Sequence, residues 1–137
     1  MKHRVYFDSN VLLDFFLERG TTGITELFES IDQRKIIGFV SISSIQICIY
    51  FLEKSKGLEA TKAILEMIIL NFELLEANKN TLIKAIKSDF GDLEDALQYF
   101  TALENDISVI VTSDKGFLKK TTPILPIISP QEFSELL

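Results

Sequence analysis

Short apolar runs of strand length alternate with stretches of helical periodicity along this chain, and the alternation leaves few folds open. Successive parallel strands need a crossover of a dozen or more residues, which a helix supplies. The pattern therefore predicts a parallel sheet covered by helices. Strand candidates are Arg4–Phe7, Gly38–Ser41, Phe72–Leu75, Ser108–Val111 and Ile124–Ile128. Helical candidates are Val11–Glu18, Thr22–Gln33, Ser44–Lys54, Leu58–Leu70, Lys79–Ser88 and Leu93–Asn105. In the last of these, Ala96, Tyr99, Phe100 and Leu103 recur at helical spacing and face the expected sheet. Pro126 lacks an N–H to give to a ladder, which places the final strand at a sheet edge. The fold class is α/β: a three-layer α/β/α sandwich with a central, mainly parallel sheet of about five strands.

At 137 residues, with no linker, repeat or low-complexity segment, residues 1–137 read as one domain. Apolar residues make up 47% and charged residues 25%, the balance of a packed chain rather than a disordered one. A single cysteine, Cys48, excludes an internal disulfide and a Cys-pair zinc site and favours a reducing compartment. The start, Met1-Lys2-His3-Arg4, is followed by only three apolar residues before Asp8, too few for a secretory signal. The apolar stretch Ala63–Leu70 is interrupted by Glu66 and falls short of a membrane span. The expectation is a cytoplasmic protein with no membrane partner.

Acids stand where such a sheet binds ligands, beyond the carboxyl ends of its strands. Val5-Tyr6-Phe7 runs into Asp8, and Val109-Ile110-Val111 runs through Thr112-Ser113 into Asp114. Asp92-Leu93-Glu94-Asp95 opens the sixth helical stretch, with Asp92 as its N-cap candidate. Each acid also has a plain structural role: a turn former at Asp8, a cap at Asp92, a solvated helix residue at Asp14, a β-turn at Asp114-Lys115-Gly116. Three acids converging on one rim are harder to explain as turns. Close carboxylates raise one another's proton affinity unless a cation is present. Oxygen donors suit Mg²⁺ or Mn²⁺. The matching chemistry is metal-assisted phosphodiester hydrolysis, in which the cation polarises the phosphoryl oxygen and activates water. Asn10, Asp14, Thr112 and Ser113 are candidates to support the ligands, and Lys115, Lys119 and Lys120 to contact a nucleic-acid backbone.

Other chemistries find less support. His3 is the only histidine and precedes the first strand, at the wrong end for a catalytic dyad. No glycine-rich phosphate loop is present, and Trp is absent, which leaves little basis for a single-strand stacking platform. A net charge of −6 lowers the expectation of nonspecific nucleic-acid binding, although the acids that would hold a metal contribute to it. Cys48 reads as a half-buried apolar residue.

Three segments resemble the PIN domain, the ribonuclease fold of VapC-type toxins: Val5 to Asp14, Leu93 to Tyr99 and Val109 to Phe117. Val40–Ser44 and Ile128–Phe133 extend the likeness over essentially the whole chain. The resemblance implies Mg²⁺- or Mn²⁺-dependent cleavage of RNA, with Asp8, Asp95 and Asp114 as metal-binding catalytic acids and Asn10 supporting them. It also implies an antitoxin protein as partner. Apolar residues on the third and fourth helical stretches, including Ile49, Tyr50 and Phe51, could make a homodimer face or could equally be core. One position departs from the family. Its fourth acid, a Glu one turn into the helix after the second strand, is replaced by Cys48, and a thiol is a poor ligand for a hard cation. Asp92 or Glu94 could supply the missing carboxylate; Asp92, three residues before Asp95 and on the same helix face, is the expected one. Two functions follow: an endoribonuclease that serves as the toxin of a toxin–antitoxin pair, or a catalytically degenerate PIN domain that binds protein or RNA. A phosphotransfer receiver domain also gathers acids at a sheet rim, but the Asp8-x-Asn10 pattern fits it poorly.

Overall fold

In the computed structural model, which describes residues 2–137, all five strands form one parallel sheet of order β3-β2-β1-β4-β5. The strands are β1 (His3–Phe7), β2 (Ile36–Ser41), β3 (Phe72–Leu75), β4 (Val109–Val111) and β5 (Ile127–Ile128). The helices are α1 (Ser9–Phe16), α2 (Ile24–Asp32), α3 (Ile42–Lys56), α4 (Leu58–Asn71), α5 (Lys79–Lys87), α6 (Leu93–Leu103), α7 (Lys115–Leu118) and α8 (Pro130–Glu135). Met1 lies outside the described residues, so only Lys2 onward of the N-terminal reading is placed.

Strand alternation divides the core in two. Val5, Phe7, Val109 and Val111 point to one face, where Val11, Leu12, Leu27, Cys48, Leu52, Ile68 and Phe133 pack on them. Tyr6, Phe39 and Ile110 point to the other, against Tyr99, Ala102, Phe117 and Leu125. The result is a sheet with helices on both sides. Gly38 and Gly23 each permit a close approach. A Cβ on Gly38 would stand 2.8 Å from the Phe72 ring, and one on Gly23 would stand 2.7 Å from the backbone of Pro130 and Gln131.

The expected elements are present, with ends shifted by a few residues. The exception in length is the last strand, expected over Ile124–Ile128 but confined to Ile127–Ile128. Pro126 stays outside it, accepting from Ile110 N at 2.9 Å, and β5 is the edge strand. Two helices went unanticipated. Asp114-Lys115-Gly116 is not a β-turn but the start of α7, and Ser129 caps α8 with Pro130 as its first residue. No helix of the described residues is long and apolar enough to cross a membrane.

Candidate active site

The order β3-β2-β1-β4-β5 changes direction between β1 and β4, and Asp8 and the Thr112–Asp114 loop leave the sheet side by side at that point. The main chain fastens them together: Asp8 N donates to Val111 O at 3.0 Å. Asp8 is the N-cap residue of α1, yet its side chain caps nothing. Its carboxylate instead receives Thr112 Oγ1 at 2.8 Å, Asn10 Nδ2 at 3.2 Å and Ser9 Oγ at 3.4 Å. It is 4% exposed, and burial raises its pKa above the usual range. The hydrogen bonds from Thr112 and Ser9, and the neighbouring Gln98 side chain, act in the opposite direction.

The supporting residues form one connected set. Thr112 Oγ1, besides donating to Asp8, accepts from Asp114 N at 3.1 Å. Asn10 Oδ1 accepts from Ser113 N and Oγ at 3.3 and 3.1 Å. Asp14 is not the solvated helix residue its position suggested. It is buried, and takes bonds from Thr21 Oγ1 at 2.7 Å, Ser113 Oγ at 3.2 Å and Arg19 Nη1 at 3.4 Å. Asp14 thus spends its charge locally and ties α1 to the Asp114 loop.

α6 brings its acids to the same rim. Asp92 Oδ1 accepts from Asp95 N at 3.0 Å, so Asp92 does cap the helix. Asp95 is pushed up to about 7, first by burial and then by the charges of Asp92, Asp8, Asp114 and Glu94. Glu94 is raised as well, by burial, then by Asp8, then by Asp92. Besides Asp95, the carboxylate of this turn that feels the Asp8 charge without a capping duty is Glu94. The three-residue spacing that favoured Asp92 is the spacing a cap uses, and sequence alone cannot separate the two.

Asp114 Oδ2 accepts from Phe117 N at 3.2 Å and caps α7. Lys115 and Lys119 are exposed on and just beyond that helix, whereas Lys120 lies over the Phe90 ring at 5.2 Å. Cys48 is fully rather than half buried, with Sγ 3.8 Å from Ser9 O, and burial with the Asp8 charge pushes its thiol up to about 12. A neutral thiol beside Asp8 cannot replace a carboxylate.

Among the described residues, none of Asp8, Glu94, Asp95 and Asp114 has a salt-bridge partner, while Asp14 has Arg19. Nor do any three Asp, Glu, His or Cys side chains there already stand within one ion's reach. The donor set fits a hard divalent cation by its chemistry: oxygen ligands, mutual repulsion and no balancing charge. An apolar cleft of about 370 Å³ between α1, α2 and α4, with Phe15, Phe16, Phe28 and Met67 among its walls, is lined by none of these acids.

The family model of the PIN domain matches residues 4–116. Ribonuclease VapC1 of Aquifex aeolicus (strain VF5) is 28% identical over 139 residues, covering 96% of this chain and 94% of the relative. PAE2754 from Pyrobaculum aerophilum superposes with a TM-score of 0.70 at 19% identity, over 99% of this chain and 96% of that one. VapBC2 from Rickettsia felis, solved bound to a DNA fragment from its promoter, gives a TM-score of 0.68 at 15% identity, over 92% and 98% of the two chains. At these identities the two structures speak for the fold alone.

Proposed function

This chain belongs to the PIN domain family, and from that premise we propose that residues 1–137 form one domain acting as a Mg²⁺- or Mn²⁺-dependent endoribonuclease, the toxin of a toxin–antitoxin pair. The observation that carries the reading is Asp95. It is raised to about 7 within a set of four other carboxylates, at a rim where none of Asp8, Glu94, Asp95 and Asp114 has an ion-pair partner among the described residues. Such a cluster costs stability, and a divalent cation relieves the cost.

Asp8, Asp95 and Asp114 would hold the cation, with Glu94 in place of the family's fourth acid. The bound cation would supply charge for the phosphoryl oxygen and lower the pKa of a water. The chain's own residues do the rest. Thr112, Asn10 and Ser9 fix the Asp8 carboxylate, and Asn10 also fixes the Ser113 loop that carries Asp114. Lys115 and Lys119, exposed beside Asp114, would contact the RNA backbone. Lys120 is the weaker candidate because its ammonium already sits on Phe90. The similarity to a VapC ribonuclease and to VapBC complexes supports RNA as substrate and an antitoxin as partner. Tyr50 and Phe51 are 62% and 41% exposed on α3 and would form part of a homodimer face.

The test is cleavage of a mixed RNA substrate with Mg²⁺ or Mn²⁺ by wild type, Asp8→Asn and Asp95→Asn. The expected result is cation-dependent cutting by wild type and a loss of about a hundredfold or more in each variant, at least the upper end of what supporting residues cost. Unchanged activity in both variants would reject the site. No cutting with either cation would move the chain to the degenerate, binding-module reading.

A further inference from the structure

Beneath the acids lies a buried, uncharged cluster whose residues fall within the family-like segments but were given no role there. Tyr6, on the β1 face opposite Phe7, reaches Ser41 Oγ at 3.0 Å and Gln98 Oε1 at 3.1 Å. Ser41 Oγ donates to Ser44 Oγ at 2.9 Å, and Ser44 Oγ donates to Gln98 Oε1 at 3.3 Å. All four side chains are 5% exposed or less. Two hydroxyls thus converge on one oxygen of Gln98, and a carboxamide held by its carbonyl presents its N–H groups on the other side. On that side Asp8 is a neighbour: Gln98 is among the polar groups that hold its carboxyl pKa down against burial. Gln98 lies three residues after Asp95 and four after Glu94, on the same face of α6.

We propose that Gln98 is a positioning residue for the Asp8 carboxylate, its carbonyl locked by Tyr6 and Ser44 so that its amide fixes Asp8 from the α6 side. The inference rests on the reading of Asp8 as a metal ligand. Ser9, Asn10 and Thr112 grip the carboxylate from the strand ends, and Gln98 closes the remaining side. The grip matters because the fourth acid is proposed to come from α6 rather than from α3. The face of α3 toward Asp8 offers only Ser44 and Cys48, so no fourth acid there helps to orient an incoming cation. A glutamate at 98 would set a like charge against Asp8, whereas the amide supplies a donor without adding charge.

The experiment is Mn²⁺ titration by calorimetry on wild type, Gln98→Met and Tyr6→Phe, with thermal unfolding of each. Gln98→Met keeps the length and removes the amide, and is expected to weaken Mn²⁺ binding roughly 10–100-fold. Tyr6→Phe removes one of the two locks and is expected to weaken binding less. Wild-type Mn²⁺ affinity in Gln98→Met overturns the proposal, even if the melting temperature falls, because that pattern belongs to packing alone. Should Gln98→Met not fold, unchanged affinity in Tyr6→Phe overturns it instead. A wild type that takes up no Mn²⁺ refutes the metal reading itself and this role with it, an outcome distinct from wild-type binding that ignores Gln98.

Discussion

The β1–α1 and β4–α7 junctions look alike in sequence, an apolar triplet leading to an aspartate that opens a helix, yet the two aspartates do different work. Asp114 turns its carboxylate inward to cap α7 through Phe117 N at 3.2 Å. Asp8 occupies the same cap position on α1 but leaves the helix uncapped, and its carboxylate takes bonds from Ser9 and Asn10 of α1 and from Thr112 beyond β4. α6 repeats the contrast within one turn, where Asp92 caps and Glu94 does not. Acids that cap serve their own helix first. Asp8, released from capping, accepts instead from Thr112 beyond β4.

The largest effect that can break this comparison is on cation affinity at α6. Glu94→Gln is expected to weaken Mn²⁺ binding about tenfold, the lower end of what a residue supporting a metal site costs. Asp92→Asn should leave affinity near wild type, because Asn caps a helix as well as Asp. The reverse order in a Mn²⁺ titration would show that the capping acid is the one recruited. Next comes Asp114. Asp114→Ala should lose about 1 kcal/mol of stability with the cap, while Asp114→Asn keeps the cap. Denaturant unfolding would then show Asp114→Asn as stable as wild type, although both variants lose RNA cleavage. Equal stability in all three proteins would mean that the cap contributes nothing.

The smallest effect is a pH dependence of stability. Asp95, Glu94 and Asp8 all have folded pKa values above their unfolded ones, Asp95 at about 7. The folded chain therefore binds more protons than the unfolded one. Its stabilisation is complete below the ordinary carboxylate range and is lost as pH rises through about 7. Metal-free protein should melt a few degrees lower at pH 8 than at pH 5, and less so in Asp95→Asn. Asp95 is only partly buried, so solvent screening keeps the change small. Added Mn²⁺ should remove it, and a melting temperature that rises over this range in chelator would contradict the assignment.

Much of this was legible in the residues. Strand alternation and helical spacing place the sheet, and acids at strand exits place its rim. α7 and α8 escaped because four and six residues are too few to show a period, although Ser129-Pro130 with Glu132 carries a capping pattern in plain view. The capping bond of Asp92 was not separable from a ligand role because i,i+3 spacing marks both a shared face and a cap. Gln98 escaped for another reason. It is a polar residue between Ala96, Tyr99 and Ala102 on the buried face of α6, and only the positions of Tyr6 and Ser44 reveal what its amide is for.

The pairing of β1 with β4 also has a consequence in time. Asp8 N finds Val111 O, and Thr112 finds Asp8, across more than a hundred residues of intervening chain. Contacts of such separation form late and slowly. A nascent chain that has left the ribosome only as far as α6 carries Asp8, Glu94 and Asp95 but lacks Thr112 and Asp114. Its acids have neither the loop that orients them nor their last member. On the proposed ribonuclease function, this order of assembly would leave the unfinished chain without a complete site beside the machinery that is making it.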